Sequence, residues 1–219
     1  MRKLIGGAFV SLDGVMQAPG GPEEDPTGGF AHGGWLAPVF DEGLGNQVDS
    51  LFGQPFDLLL GRRTYEIFAA YWPFAPADDP IAAAFGKARK YVLSRGGVEL
   101  TWQGSERLAS LDDLAKVKEG EGPSLVIQGS ASLYPQLIAR GLLDRLVLMT
   151  APVLLGTGKR LFGEGTPAGK WRLLEHRVTA NGFAMGTYEP AGPLEAGSFA
   201  ADVPSPLELA RREKLKAEG

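Results

Sequence analysis

The sequence predicts an α/β fold of three layers, with a mixed but mostly parallel central sheet covered by helices on both faces. Three observations predict it. Short apolar runs recur at 3–10 (KLIGGAFV), 56–60 (FDLLL), 90–94 (KYVLS) and 125–128 (LVIQ), continuous in the way of strands buried on both faces. Helical segments separate several of them, and strands alternating with helices build layered α/β domains. The segment 171–190 (WRLLEHRVTANGFAMGTYEP) instead reads as a β-hairpin turning at Asn181-Gly182, which makes the sheet mixed.

Taken in order, the first strand is followed by a Gly/Pro-rich stretch from Gly14 to Gly34 that includes PGGPEEDPTGG and shows no periodicity. A loop of that length in a compact domain is a lid or a linker. Residues 39–52 place Val39, Phe40, Leu44, Val48, Leu51 and Phe52 near helical spacing, although Gly43 and Gly45 weaken the helix. Gly61 closes the strand at 56–60, and RRTYEIFAAYW begins a helix. After 125–128, GSASLYPQLIARG forms a helix that tolerates Pro135 only in its first turn and ends at Gly141. DRLVLMTAPVLLG (144–156) is a further strand. These elements fill a domain over 1–190. Residues 191–219 are linker-like, and Ser205-Pro206-Leu207-Glu208 then fits a capping box with proline at the first helical position. A short charged helix or a solvated tail follows.

A chain of 219 residues with 44% apolar content supplies a full core. A net charge of −4 provides no basic field for nucleic acid. The absence of cysteine excludes disulfides, iron–sulfur clusters, thiolate zinc sites and a cysteine nucleophile. Met1–Gly14 superficially resembles a secretion signal, but Asp13 interrupts the apolar run early and no small-residue cleavage site follows. No apolar stretch reaches 18 residues. The expectation is a cytoplasmic protein without a membrane or nucleic-acid partner. His32 and His176 have no ligand pattern around them, so no metal site is expected; His32 is either a loop residue beside the site or a surface residue, and His176 is a strand-surface residue.

Three strand ends carry the features of an anion site. Gly61-Arg62-Arg63-Thr64 combines a glycine that lets the backbone turn, the N–H groups of a helix start and two guanidinium forks suited to phosphate. Taken alone, it fits an anion site or solvated arginines equally. Ser94 and Arg95 end the next strand, and Gln128-Gly129-Ser130-Ala131 gives a small, flexible turn after the third. Ligands of open α/β sheets bind along this edge, so the arginines converge on one polyanion. Gly156-Thr157-Gly158-Lys159 is not a phosphate loop, because Arg160 stands where Ser or Thr is required and the first glycine is missing. No GxGxxG follows a strand.

LIGGAFVSLDG, LLLGRRTYE, YVLSR, VIQGSASLYPQLI and APVLLGTGKRLF stand in the order and spacing of the dihydrofolate reductase superfamily. The chain resembles most its branch around the C-terminal reductase domain of bifunctional riboflavin-biosynthesis deaminase-reductases, over about residues 1–190. No deaminase half is expected within these residues, since its zinc signature needs cysteines. The resemblance implies a dihydrofolate-reductase-like domain that binds NADPH and forms a homodimer. It places Gly61, Arg62, Arg63 and Thr64 near the adenosine phosphates, Ser94 and Arg95 near the 2′-phosphate, and Gln128, Gly129, Ser130 and Ala131 against the pyrophosphate. The last segment matches the family's cis Gly-Gly turn, so a cis bond is expected between Gln128 and Gly129. Ala8 and Phe9, with Ser11 to Gly14, border the nicotinamide.

Hydride transfer also needs a proton, commonly from a carboxyl group or a water it holds. Asp41, Glu42 and Asp49 on the helix after the long loop, and Asp13 at the end of the first strand, are the candidates, with Asp13 and Asp41 put forward. Each also fits a solvated or capping role. Trp35, Phe40 and Thr150 are expected to line a substrate pocket, and Trp72 and Phe74 are further aromatic candidates for stacking, unless these rings are core. No equivalent of a pterin-binding acid is evident, which argues against dihydrofolate itself. The substrate expected is a small heterocycle, pterin-like or ribosylamino-pyrimidine-like, or another imine or carbonyl. The rival is an NADPH-binding sensor or assembly module without turnover, and a flavin oxidoreductase is a third reading.

Overall fold

The computed structural model describes residues 1–76, 78–199 and 203–218. Its eight strands are β1 (Leu4–Val10), β2 (Phe56–Gly61), β3 (Lys90–Leu93), β4 (Ser105–Leu108), β5 (Ser124–Gly129), β6 (Arg145–Thr150), β7 (Trp171–Val178) and β8 (Ala184–Pro190). They form one sheet in the order β4-β3-β2-β5-β1-β6-β8-β7. Pairing is parallel from β4 to β6 and antiparallel between β6 and β8 and within the hairpin β7–β8. The helices are α1 (Glu42–Phe52), α2 (Arg62–Tyr71), α3 (Pro80–Lys87), α4 (Leu111–Glu119), α5 (Tyr134–Ala139) and α6 (Pro206–Glu218). The mixed, mostly parallel α/β sheet read from the sequence is the observed architecture.

The continuous apolar runs arise because both sheet faces are covered. Along β5, Leu125 and Ile127 enter one core cluster and Val126 the other; along β2, Leu59 goes one way and Leu58 and Leu60 the other. All three β2 leucines are fully buried, each worth about 1.5–3 kcal/mol in apolar burial. Two glycines set how closely the layers approach. A Cβ on Gly6 would stand 2.8 Å from a ring carbon of Tyr134 in α5, and one on Gly7 would collide with Leu51 of α1. The two helices therefore seat directly on the β1 backbone from opposite sides.

The structure also corrects the sequence reading. α3, β4 and α4 had no counterpart among the expected elements. The strand expected at 144–156 ends at Thr150. Pro152 has no N–H for a ladder, and the N–H groups of Leu155 and Gly156 turn to Asp13 instead. In α6 only half of the capping box forms: Ser205 Oγ accepts from the Glu208 N–H at 3.2 Å, while the Glu208 carboxylate binds Arg211 and Arg212. No α6 residue is buried.

Candidate active site

In parallel strands the C-terminal ends share one edge, and β1, β2, β3 and β5 here open together into a cleft of about 2100 Å³. Gly61 is the extended N-cap of α2. A Cβ on Gly61 would collide with Ser130 Oγ, and one on Gly129 would stand 2.7 Å from Thr64 Oγ1. The Thr64 and Ser130 hydroxyls themselves lie 3.2 Å apart. The turns after β2 and β5 thus interlock, with glycine where no side chain fits. The Gly129–Ser130 peptide bond is cis, one residue later than the expected bond between Gln128 and Gly129, so Gly129 is the first residue of that turn.

Phe9, Gly61, Arg62, Arg63, Thr64, Ser94, Arg95, Gln128, Gly129, Ser130 and Ala131 all line this cleft. Arg62 pairs with Glu66 one helical turn on, at 3.0 Å, and Arg63 Nη1 donates to Thr27 Oγ1 at 3.2 Å. The Arg95 side chain makes no ion pair among the described residues. The lining carries six cationic side chains (Arg62, Arg63, Arg95, Arg140, Lys159, Arg160) and six acidic ones (Glu23, Glu24, Asp25, Glu66, Asp112, Glu164). The lining thus carries no net formal charge, and of its arginines Arg62, Arg63 and Arg95 stand at strand ends.

The long loop after β1 covers the other part of the cleft: residues 16–27 line it. Buried Gln17 ties the loop together, its Nε2 donating to the carbonyls of Asp25 (2.8 Å) and Thr27 (2.9 Å) while its Oε1 accepts from Lys159 N–H (3.0 Å). Lys159 Nζ binds the Asp25 carboxylate and Thr27 Oγ1. Burial works against ionisation of Asp25, but the hydrogen bonds from Lys159 and Thr27 prevail and hold its pKa below the usual value. Gly158 lies at φ +119°, where a Cβ would stand 2.6 Å from Val15 and 2.9 Å from Phe30. The Gly-Thr-Gly-Lys segment therefore acts as the strap that fastens the loop.

Four groups of expected site residues lie elsewhere. Ala8 is buried in the core, its side chain turned to the face opposite Phe9. Trp35 is buried and donates its Nε1–H to the Gln17 carbonyl at 2.8 Å; Phe40 is half exposed outside the cleft; Thr150 ends β6 between Val10 and Ala184. Asp41 is the N-cap of α1, accepting from Leu44 N–H (2.9 Å) and Asn181 N–H (2.8 Å). The Thr179 hydroxyl, then Asn181, keeps its pKa low. Asp13 accepts from the Ser11 hydroxyl (2.6 Å) and from the N–H groups of Leu155 (3.1 Å) and Gly156 (2.8 Å). Led by Ser11, these bonds lower its pKa to about 2. Both carboxylates are structural acceptors outside the cleft lining.

What the sequence reading missed is an apolar part of the lining: Met16 and Leu36 from the segment after β1, and Ile67, Phe68 and Tyr71 from α2. Trp72, an aromatic candidate for stacking, also lines the cleft but packs against the core ring of Phe85. The signal was the apolar side of RRTYEIFAAYW, which reads equally well as a face packed on the sheet. Phe74 lines a separate depression. Glu24 also lines the cleft, its Oε2 accepting from Gly20 N–H (2.6 Å) and Gly21 N–H (3.2 Å). Burial nevertheless raises its pKa. His32 and His176 are exposed. Among the described residues no group of three or more His, Asp or Glu could hold a metal, and no helix is long and apolar enough to cross a membrane.

The family model described as RibD C-terminal domain matches residues 2–185. Two uncharacterized proteins of Bacillus subtilis are similar. YyaP is 26% identical over 199 residues, covering 85% of this chain and 94% of its own. YwjB is 29% identical over 174 residues, covering 78% and 89%. Among solved structures, a putative riboflavin biosynthesis protein from Shewanella sp. PV-4 superposes with TM-score 0.57 at 22% identity, covering 86% of this chain and 99% of the other. Dihydrofolate reductase from Enterococcus faecalis, complexed with NADP(H), superposes with TM-score 0.54 at 18% identity, covering 86% and 96%.

Proposed function

The chain belongs to the RibD C-terminal domain family, and from that membership we propose that it is an NADPH-dependent reductase of a small heterocyclic imine or carbonyl compound. One observation carries the cofactor half. The turns at Gly61 and Gly129–Ser130 interlock at two strand ends, glycine in each making room for the other's hydroxyl, and Arg62, Arg63 and Arg95, the last without an ion pair among the described residues, line the cleft around them. That is a cradle for a pyrophosphate and a further phosphate, built of helix-start N–H groups and planar guanidinium forks. When bound, the nicotinamide supplies the hydride.

The protein's own part is to bind, orient and exclude water. Phe9 borders the space for the nicotinamide, and the apolar lining from Met16 and Leu36 to Ile67 and Tyr71 takes the flat side of the acceptor. The acceptor also needs a proton. We assign it to Glu24, the cleft carboxyl whose pKa burial raises, in place of Asp13 and Asp41, whose pKa values are lowered by hydrogen bonds led by the Ser11 and Thr179 hydroxyls. Homodimerisation, which family likeness implies, finds a free edge in β7, where Leu173 and Val178 are exposed; gel filtration tests it.

Thermal-shift titration with NADPH and NADH tests the cofactor. At a hundredfold excess over Kd, binding contributes about 2.7 kcal/mol, a rise of roughly 5–10 °C for a chain of this size. NADPH is expected to stabilise more than NADH. Stabilisation by neither would sink the proposal. Binding without substrate-dependent loss of nicotinamide absorbance would favour a sensor instead.

A further inference from the structure

Arg107 lies on β4, an exposed edge strand, where an arginine ordinarily reaches into solvent. Here its guanidinium folds back onto the neighbouring strand. Arg107 pairs in register with Val92 of β3, and its side chain reaches the turn that follows. Nε donates to the Ser94 carbonyl at 3.0 Å and Nη2 to the Arg95 carbonyl at 3.1 Å. One planar fork therefore holds two successive carbonyls of the strand end that faces the cleft.

Three consequences meet at this turn. A carbonyl oxygen pointing at a phosphate repels it, and the fork draws two such oxygens onto a cation. The Ser94 hydroxyl donates to the Gly96 carbonyl at 3.0 Å, so its proton is used within the turn. Arg107 makes no ion pair among the described residues, so its charge remains beside Arg95. The geometry points to Arg107 as the positioning and specificity-determining residue for the 2′-phosphate: it fixes the Ser94–Gly96 turn so that Arg95 faces the anion, and it adds a second positive charge there. This rests on the NADPH reading above.

The test compares ligands that differ only in that phosphate. Kd values of the full chain and of its Arg107→Gln and Arg107→Lys variants are measured for NADPH, NADH, 2′,5′-ADP and 5′-AMP. Arg107→Gln is expected to weaken NADPH and 2′,5′-ADP about tenfold, as loss of a charged hydrogen-bonding group does, and to leave NADH and 5′-AMP within about twofold. Arg107→Lys keeps the charge without the fork, and it should recover part of the loss. Equal weakening of phosphorylated and unphosphorylated ligands, or no weakening, overturns the assignment while NADPH binding by the unaltered chain still stands. An unaltered chain that binds neither nucleotide, or both equally, overturns the cofactor reading and this assignment together.

Discussion

Asp13 and Glu24 are both carboxyls of the segment after β1, and their surroundings push them in opposite directions. The Ser11 hydroxyl and the Leu155 and Gly156 N–H groups hold Asp13 at a pKa of about 2, whereas burial raises Glu24 despite two backbone N–H donors. A proton donor near neutral pH needs the second environment. In Glu24→Gln, kcat is expected to fall about 100-fold. If the proposed reductase activity holds, the unaltered chain should lose it as pH rises through the Glu24 pKa, because the protonated form is required, and the variant's steady-state profile should be flat there. Asp13→Asn should keep the unaltered profile. Its effect belongs to stability. A folded pKa below the ordinary aspartate value of 3.8 gives stability that is present above that pH and lost as pH falls towards about 2. Thermal midpoints of Asp13→Asn should therefore show a shallower decline across that acid range. A flat profile in Asp13→Asn and an unchanged one in Glu24→Gln would reverse the two roles.

At the scale of elements, the long loop after β1 depends on a strap far away in sequence. Lys159 Nζ binds Asp25 and Thr27, and its backbone binds Met16 and Gln17. Lys159→Ala leaves the nearly buried Asp25 without its cation. The expected cost is about 1–3 kcal/mol, as for other unsatisfied buried groups, read as a lower urea midpoint with faster amide exchange confined to residues 16–27. An unchanged exchange rate there would refute the strap. Sequence showed that a lid or linker follows β1, since Gly and Pro without periodicity cannot form an element. It also showed the three strand ends, because glycine, arginine and hydroxyl residues follow directly on apolar runs. It did not show β4, whose residues are largely exposed on an edge and so lack alternation. α3 and α4 carried readable caps in Asp79-Pro80 and Ser110…Asp113, but their short length hid the apolar stripe. Which carboxylate enters the cleft was not legible either. Asp13 and Asp41 find their partners at Gly156 and Asn181, and such distant pairing leaves no local pattern.

For the whole molecule, the core and cleft lie within the sheet and the helices on its two faces, and α6 stands apart from both. Its Leu207, Leu209 and Leu215 are exposed, and no residue of the helix is buried. What holds it is local: Ser205 caps it, and Glu208–Arg211, Glu208–Arg212 and Lys216–Glu213 pair along its surface. Exposed pairs of this kind contribute a few tenths of a kcal/mol each, and an isolated 13-residue helix is marginal in water. Removing residues 203–219 should then cost the domain nothing it uses. The thermal midpoint is expected to stay within about 2 °C, a change below roughly 1 kcal/mol for a chain of this size, with nucleotide affinity and gel-filtration volume per protomer unchanged. Far-ultraviolet dichroism alone should lose helical signal. A larger fall in the midpoint that depends on protein concentration would mean that the exposed leucines are covered by a second copy, because only association makes stability depend on concentration.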